Sequence, residues 1–267
     1  MMAGIETYSG AGLDTAVNED GVWQSGDSTA GVALVLDGVT SPHPKVTGCE
    51  HGVTWFVENL GDTILAQVEQ RVPQEVSTKA LLAAVRSAIT STAHKHLGRC
   101  DLNRLATPQA TMALAAWDQD SVCVAVLCDS YVVVKGADGA CRVLTDPALQ
   151  LIQDFAPDYG VRRYRNVPDG FHTLAADPSV TDFIRTWSIP REEIQGLVLT
   201  TDGAARYVRE YRLGSWEDFY EGVGSDVEDF VRAIRSFESG RPIRTDAKRS
   251  DDVALARIDL STSEVMT

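Results

Sequence analysis

The sequence predicts an α+β fold in which two β-sheets are covered by helices on their outer faces. Three observations point there. Short strand-like runs open the chain and are followed by two consecutive segments of helical periodicity, not by an alternation of strand and helix. A block of hairpin-like pieces then fills residues 110–145, and a strand, an amphipathic helix and a closing strand complete the chain. Several runs (AGVALVL, GLVLTT) are apolar at successive positions, so both of their faces need cover.

Taken in order, Ile5 to Ser9, Gly21 to Gln24 and Ala30 to Leu36 read as strands, the last ending at Asp37-Gly38. From about Gly48 to Val72, the residues Val53, Phe56, Val57, Leu60, Ile64, Leu65 and Val68 recur at helical spacing, and Pro73 follows the end. A second helix is expected over about Thr78 to Leu97, with Leu81, Leu82, Val85, Ala88 and Ile89 as its apolar stripe and Gly98 as its stop. ATMALAAWD, SVCVAVLCD, SYVVVKG and CRVLTD are strand-like, and Asp138-Gly139 between the last two is a hairpin signal. Pro147 to Phe155 suits a short helix, whereas four prolines keep residues 156–195 irregular. Gly196 to Thr201 is a buried strand ending at Asp202-Gly203. Val227, Phe230, Val231, Ile234 and Phe237 mark an amphipathic helix, and Val253 to Leu260 is the last strand.

No repeat or linker divides the 267 residues, so one domain over residues 1–267 is expected. With 44% apolar and 23% charged residues the chain is neither disordered nor fibrous. Acidic residues outnumber basic ones 38 to 24, which argues against nucleic acid or an anionic membrane as partner. The five cysteines are odd in number and include no CxxC, which argues against a zinc site and for a reducing compartment. The opening MMAGIETYSGAG has no signal-peptide pattern, and no apolar run is long enough to span a membrane. A cytoplasmic protein is expected; its oligomeric state is open.

The chemistry-bearing residues are carboxylates at strand ends. Asp-Gly occurs at 20, 37, 138, 169 and 202, and as an isolated pair it is a turn. Asp37 and Asp202, however, each terminate a continuous apolar strand; Asp20 closes NEDG before another; Asp251-Asp252 open the last strand; and Asp129 ends a hairpin strand. If these ends share one edge of the sandwich, the carboxylates repel strongly unless they bind protons or a cation. Oxygen-only donors select hard ions such as Mg²⁺ or Mn²⁺. Two such ions sharing a carboxylate would activate a water for in-line attack on phosphorus.

The order NED near the N-terminus, DG after an apolar strand, DS after a hairpin strand, TDG after another and DD before the last resembles the PPM/PP2C family of metal-dependent serine/threonine phosphatases, in a divergent bacterial-like form. The resemblance spans nearly the whole chain. It implies a four-layer α-β-β-α sandwich of two antiparallel sheets flanked by helices, and two ions, or three, of Mn²⁺ or Mg²⁺. It also implies that Asp37 bridges the ions with the Gly38 carbonyl as a further ligand, that Asp202 and Asp251 hold the first, and that Glu19 and Asp20 stand near the second, directly or through water. Asp129 with Asp202 would hold a third, weaker ion. Asp37 and Asp202 are then the residues expected to carry catalysis, and Thr111 a structural strand residue.

Where the family places a phosphate-binding arginine, this sequence has Thr15, which cannot supply the charge. Arg162, Arg163 and Arg165, or Lys248 and Arg249 just before Asp251, are candidate substitutes, and His43 and His51 follow Asp37 closely enough to be considered as acids. GDSR is altered to Cys128-Asp129-Ser130-Tyr131, and DN to Asp251-Asp252. The expected function is hydrolysis of phosphoserine and phosphothreonine in proteins. A phosphatase of small metabolites and a binding module with weak or no catalysis are the alternatives.

Overall fold

The computed structural model describes residues 4–13, 17–40, 47–71, 76–96, 98, 100–104, 106–155, 158–242 and 248–261. Two five-stranded sheets, antiparallel throughout, form its centre. The first is built on β3 (Gly31–Gly38) and β4 (Ala110–Trp117), with β2 (Gly21–Gly26) beside β3, then β5 (Ser121–Leu127) and β8 (Arg185–Pro190) beyond β4. The second runs in the order β1 (Ile5–Gly10), β10 (Val253–Asp259), β9 (Ile194–Thr200), β6 (Tyr131–Gly136) and β7 (Cys141–Thr145).

The unbroken apolar runs have a simple explanation in this arrangement. In β3 the odd-numbered Ala33 and Val35 pack between the sheets, while Val32, Leu34 and Leu36 face outward. There they meet Phe56, Leu60 and Ile64 of α1 (Val53–Arg71) and Leu81, Val85 and Ile89 of α2 (Thr78–His94). The second sheet repeats the pattern: Val132, Leu197 and Ala256 fill the interior, and Val133, Val198 and Leu255 pack against α6 (Trp216–Ser225) and α7 (Val227–Ser239). A strand with cover on both faces cannot alternate apolar with polar residues.

Local chemistry sets the element ends. Ser77 caps α2 by accepting from Ala80 N, and Ser215 and Asp218 form a reciprocal capping box on α6. Gly139, at φ +82, turns the β6–β7 hairpin. α1 starts at Val53, five residues later than its periodicity suggests, because Gly48 sits at φ +74 in a loop ahead of it. The stretch read as irregular contains β8, which pairs only with β5, so the terminal Pro190 is tolerated on an edge. Two further helices were not legible: α6, which carries two glycines, and the helix over Asp202–Arg209. Short helices also cover Ala148–Phe155 (α3) and Asp158–Val161 (α4), making Asp202–Arg209 α5.

Leu34 is fully enclosed between α1, α2 and the first sheet. Leu34→Ala is expected to lower unfolding stability by about 3 kcal/mol, read as a lower urea midpoint at unchanged slope; a loss below about 1 kcal/mol would contradict the packing described.

Candidate metal centre

Antiparallel pairing brings the predicted carboxylates to one rim. Asp37 lies opposite Thr111 at the end of β3, and Gly21 lies opposite Leu36, so Asp20 stands beside it on the neighbouring strand. In the other sheet Thr200 pairs with both Leu255 and Tyr131, which sets Asp202, Asp251 and Asp129 just beyond the same ends of β9, β10 and β6. Asp37, Gly38, Asp129, Asp202 and Asp251 line one cavity of about 340 Å³. A larger cleft of about 780 Å³, with Arg191 and Gln195 in its wall, lies at the opposite end of the strands, away from these carboxylates.

Two close backbone approaches fix the rim. A Cβ on Gly203 would lie 1.9 Å from the Asp252 carbonyl oxygen, so the TDG turn seats against the Asp251-Asp252 backbone only because it carries glycine. A Cβ on Gly38 would lie 2.5 Å from the Glu19 carbonyl oxygen, which accepts from Gly38 N at 3.1 Å. Asp252 has a different task from its neighbour: its carboxylate accepts from Gly12 N and Glu19 N, both at 2.8 Å, and ties the N-terminal segment to β10. The Glu19 carboxylate accepts from the Thr40 hydroxyl. Thr111 is buried and shares a 2.7 Å hydrogen bond with Ser130, as suits a structural residue.

The electrostatics are those of an uncompensated acidic cluster. Burial, then the charges of Asp20, Asp202, Asp129 and Asp251, pushes the Asp37 carboxyl well above its usual range. Asp202 is raised by burial and by Asp129, Asp251 and Asp20, although it sits in the first turn of α5, where the helix dipole favours an anion. Desolvation and three like charges outweigh that dipole. Burial likewise raises Asp129, against the opposing pull of Arg165, and pushes Asp20 up to about 7. One oxygen of Asp20, Oδ2, is buried without a hydrogen-bond partner among the described residues. An orphaned carboxylate oxygen beside converging carboxylates, with no histidine and one thiol, Cys128, among the described residues that line the cavity, fits hard divalent cations.

Cationic groups stand on the same cavity. Lys248 lines it and pairs with Asp251, while Arg206 of α5 approaches Asp251 at 4.0 Å. Of the candidate arginines, Arg162 and Arg165 line the cavity, and Arg163 is exposed outside it. Arg165 is largely buried with its guanidinium 5.8 Å from the Phe171 ring, and its Nε has no partner among the described residues. Arg249 is half-buried and does not line the cavity. Thr15 and His43 lie outside the described residues. His51 does not line this cavity; it belongs to a different cluster before α1. The altered GDS turn has its own signature: Cys128 takes the left-handed conformation, φ 63, where glycine is the unstrained residue, and its buried thiol lines the cavity wall.

The sequence matches the protein phosphatase 2C family over residues 14–237, and the chain belongs to that family. Among curated proteins no sequence matches it. Solved structures share its fold at low identity. The serine/threonine phosphatase PstP/Ppp of Mycobacterium tuberculosis is 16% identical over 98% of this chain and 100% of that one, with a TM-score of 0.66. Stp1 of Staphylococcus aureus is 15% identical over 98% and 96%, with a TM-score of 0.58. The PstP catalytic domain in complex with two manganese ions is 16% identical over 96% of each chain, with a TM-score of 0.59.

A carboxyl that holds its proton more tightly when folded than when unfolded costs stability as pH rises between the two pKa values. For Asp20 that window runs from about 4, the unfolded value, to about 7. In metal-free buffer, Asp20→Asn is therefore expected to match the wild type near pH 4 and to exceed its stability by on the order of 3 kcal/mol at pH 7. Denaturant unfolding at several pH values checks this; a pH-independent difference would contradict it.

Proposed function

We propose that this chain is a divalent-metal-dependent phosphatase that hydrolyses phosphoserine and phosphothreonine in proteins, with residues 1–267 acting as one domain. The observation that carries the reading is the cluster of raised carboxyls Asp37, Asp129 and Asp202, with Asp251, around one cavity on the rim of a phosphatase-family fold, and the raised Asp20 beside Asp37. Asp37, Asp202, Asp251, Asp20 and the Gly38 carbonyl would hold two Mn²⁺ or Mg²⁺ ions, with Glu19 acting through water and Asp129 with Asp202 taking a third. The two manganese ions in the structure of the PstP catalytic domain support that number. Bound there, such ions supply an activated water and offset the negative charge of the phosphoryl group.

The chain's own residues then have distinct tasks. Asp37, at the end of β3, and Asp202, at the start of α5 just beyond β9, would form the acidic floor that holds the ions. Arg165, held in place by Phe171 and with an unused donor, supplies a planar partner for phosphoryl oxygens, and Arg162 and Lys248 add positive charge on the same wall. These three stand in for the family arginine that Thr15 replaces. Five free cysteines support the expected cytoplasmic setting. The Lys248–Asp251 ion pair favours one other reading, a phosphoprotein-binding module in which lysine keeps the place of a cation.

Turnover of para-nitrophenyl phosphate and of a phosphothreonine peptide with added Mn²⁺ separates the two. Asp37→Asn and Asp202→Asn are expected to lower kcat by about 100-fold or more. Arg165→Ala is expected to raise KM by about tenfold, and Arg163→Ala to leave both constants unchanged. Peptide binding without Mn²⁺-dependent turnover would establish the module instead. Turnover of the small ester or of phosphometabolites, with the peptide untouched, would move the substrate class.

A further inference from the structure

A second group of ligand-type side chains lies away from the acidic rim. Cys49 and His51 sit in the loop ahead of α1; His96 and Cys100 follow the end of α2. Sequence spacing alone hides the group, because a Cys-x-His pair and a His-x₃-Cys pair stand on either side of a two-helix hairpin. Folding closes that distance. One ligand atom from each of the four residues lies within 4.8 Å of all the others. The Cys49 and Cys100 sulfurs are 3.4 Å apart, Cys49 Sγ is 3.4 Å from His96 Nδ1 and 3.6 Å from His51 Nδ1, and Cys100 Sγ is 3.5 Å from His51 Nδ1.

We propose that Cys49, His51, His96 and Cys100 form a structural zinc site that staples the open end of the α1–α2 hairpin. Around a tetrahedral zinc with ordinary bond lengths, sulfur–sulfur and sulfur–nitrogen separations come to about 3.8 and about 3.6 Å. The three sulfur–nitrogen distances of 3.4, 3.5 and 3.6 Å match, the sulfurs at 3.4 Å stand somewhat closer than a bound zinc would set them, and the donor set is the Cys₂His₂ of a closed site. A disulfide accounts for it poorly: the sulfurs stand well beyond the bonding distance of about 2 Å, and a disulfide would leave two converging imidazoles unexplained.

The surroundings are those of a supported ligand shell. His51 N donates to Cys49 Sγ at 3.3 Å, the kind of N–H···S contact that stabilises a metal-bound thiolate. Trp55 stacks on His51, with ring centroids 4.1 Å apart at 24°, and meets His96 edge-on at 4.7 Å, fixing both imidazole planes. Asp101 N donates to Gly48 O at 2.8 Å, joining the two ligand-bearing segments by backbone, and Cys100 N donates to His96 O at 3.3 Å, closing the turn that carries the second pair. The helices are connected through residues 72–77 at one end, and the metal would connect them at the other. Val53, at the start of α1, packs over Gly38, which links the staple to the acidic rim.

Cobalt titration of the full-length chain under reducing conditions tests this independently of phosphatase activity. After chelator treatment, one equivalent of Co²⁺ is expected to give a near-ultraviolet sulfur-to-cobalt charge-transfer band and intense tetrahedral visible bands, both removed by one equivalent of Zn²⁺. Cobalt held by the rim carboxylates gives neither, and Cys128→Ser removes the one thiol in that cavity wall; Cys128→Ser and Asp37→Asn/Asp202→Asn should each keep both features, whereas Cys49→Ser/Cys100→Ser should lose them. Because the double serine variant is prone to misfold, the wild type supplies a second readout: zinc should protect two thiols from an aromatic disulfide reagent relative to the chelated chain. Absence of the sulfur band in a folded wild-type chain, its persistence in Cys49→Ser/Cys100→Ser, or equal thiol reactivity with and without zinc would overturn the proposal.

Discussion

The rest of the structure depends on the repulsion among carboxylates that two sheets force together at one rim. Asp37 comes from the first sheet, Asp202 and Asp251 from the ends of two strands of the second, and Asp129 from the turn that crosses between the sheets. No side-chain choice could separate them without changing strand register, because each is set by the last pairs of its ladder. The energy stored in such a cluster is relieved either by protons or by cations. The raised carboxyls describe the first case, and the proposed ion site, built from carboxylates, would be the second.

Rigid backbone contacts keep the cluster from relaxing. Gly203 against Asp252 and Gly38 against Glu19 leave no space for a Cβ, and Asp252 uses both carboxylate oxygens to hold the N-terminal segment in place. The carboxylates therefore cannot drift toward solvent to lower their repulsion. The two-cation site proposed above would need this kind of enforced geometry, since ligands free to move apart would weaken the hold on both ions.

Much of this was legible in the sequence, for identifiable reasons. The strands carrying Asp37 and Asp202 are covered on both faces, so they read as unbroken apolar runs, and the carboxylate after each run stands out. The pairing of Asp251 and Asp252 was visible, but their division of labour was not: only the contacts of Asp252 with Gly12 and Glu19 show it to be a clamp. β8 escaped notice because RTWSIP is an edge strand with half-exposed residues and a proline end. α5 escaped because it begins at a glycine-bearing turn, and that glycine serves packing against Asp252 and not helix propensity. Arg162, Arg163 and Arg165 could not be ranked in sequence; burial and the cavity wall distinguish Arg165 from Arg163. The Cys/His cluster is hidden in the sequence because its two cysteines do not stand close together along the chain; each close pair is one cysteine and one histidine.

The rim proposed as a cage for paired hard cations can be examined in crystals soaked in Mn²⁺ and measured at the manganese absorption edge. Two anomalous peaks are expected within bonding distance of Asp37, one of them also within bonding distance of Asp202 and Asp251. An anomalous map with no peak at the rim, or with manganese only at surface carboxylates elsewhere while Lys248 stays on Asp251, would contradict that reading.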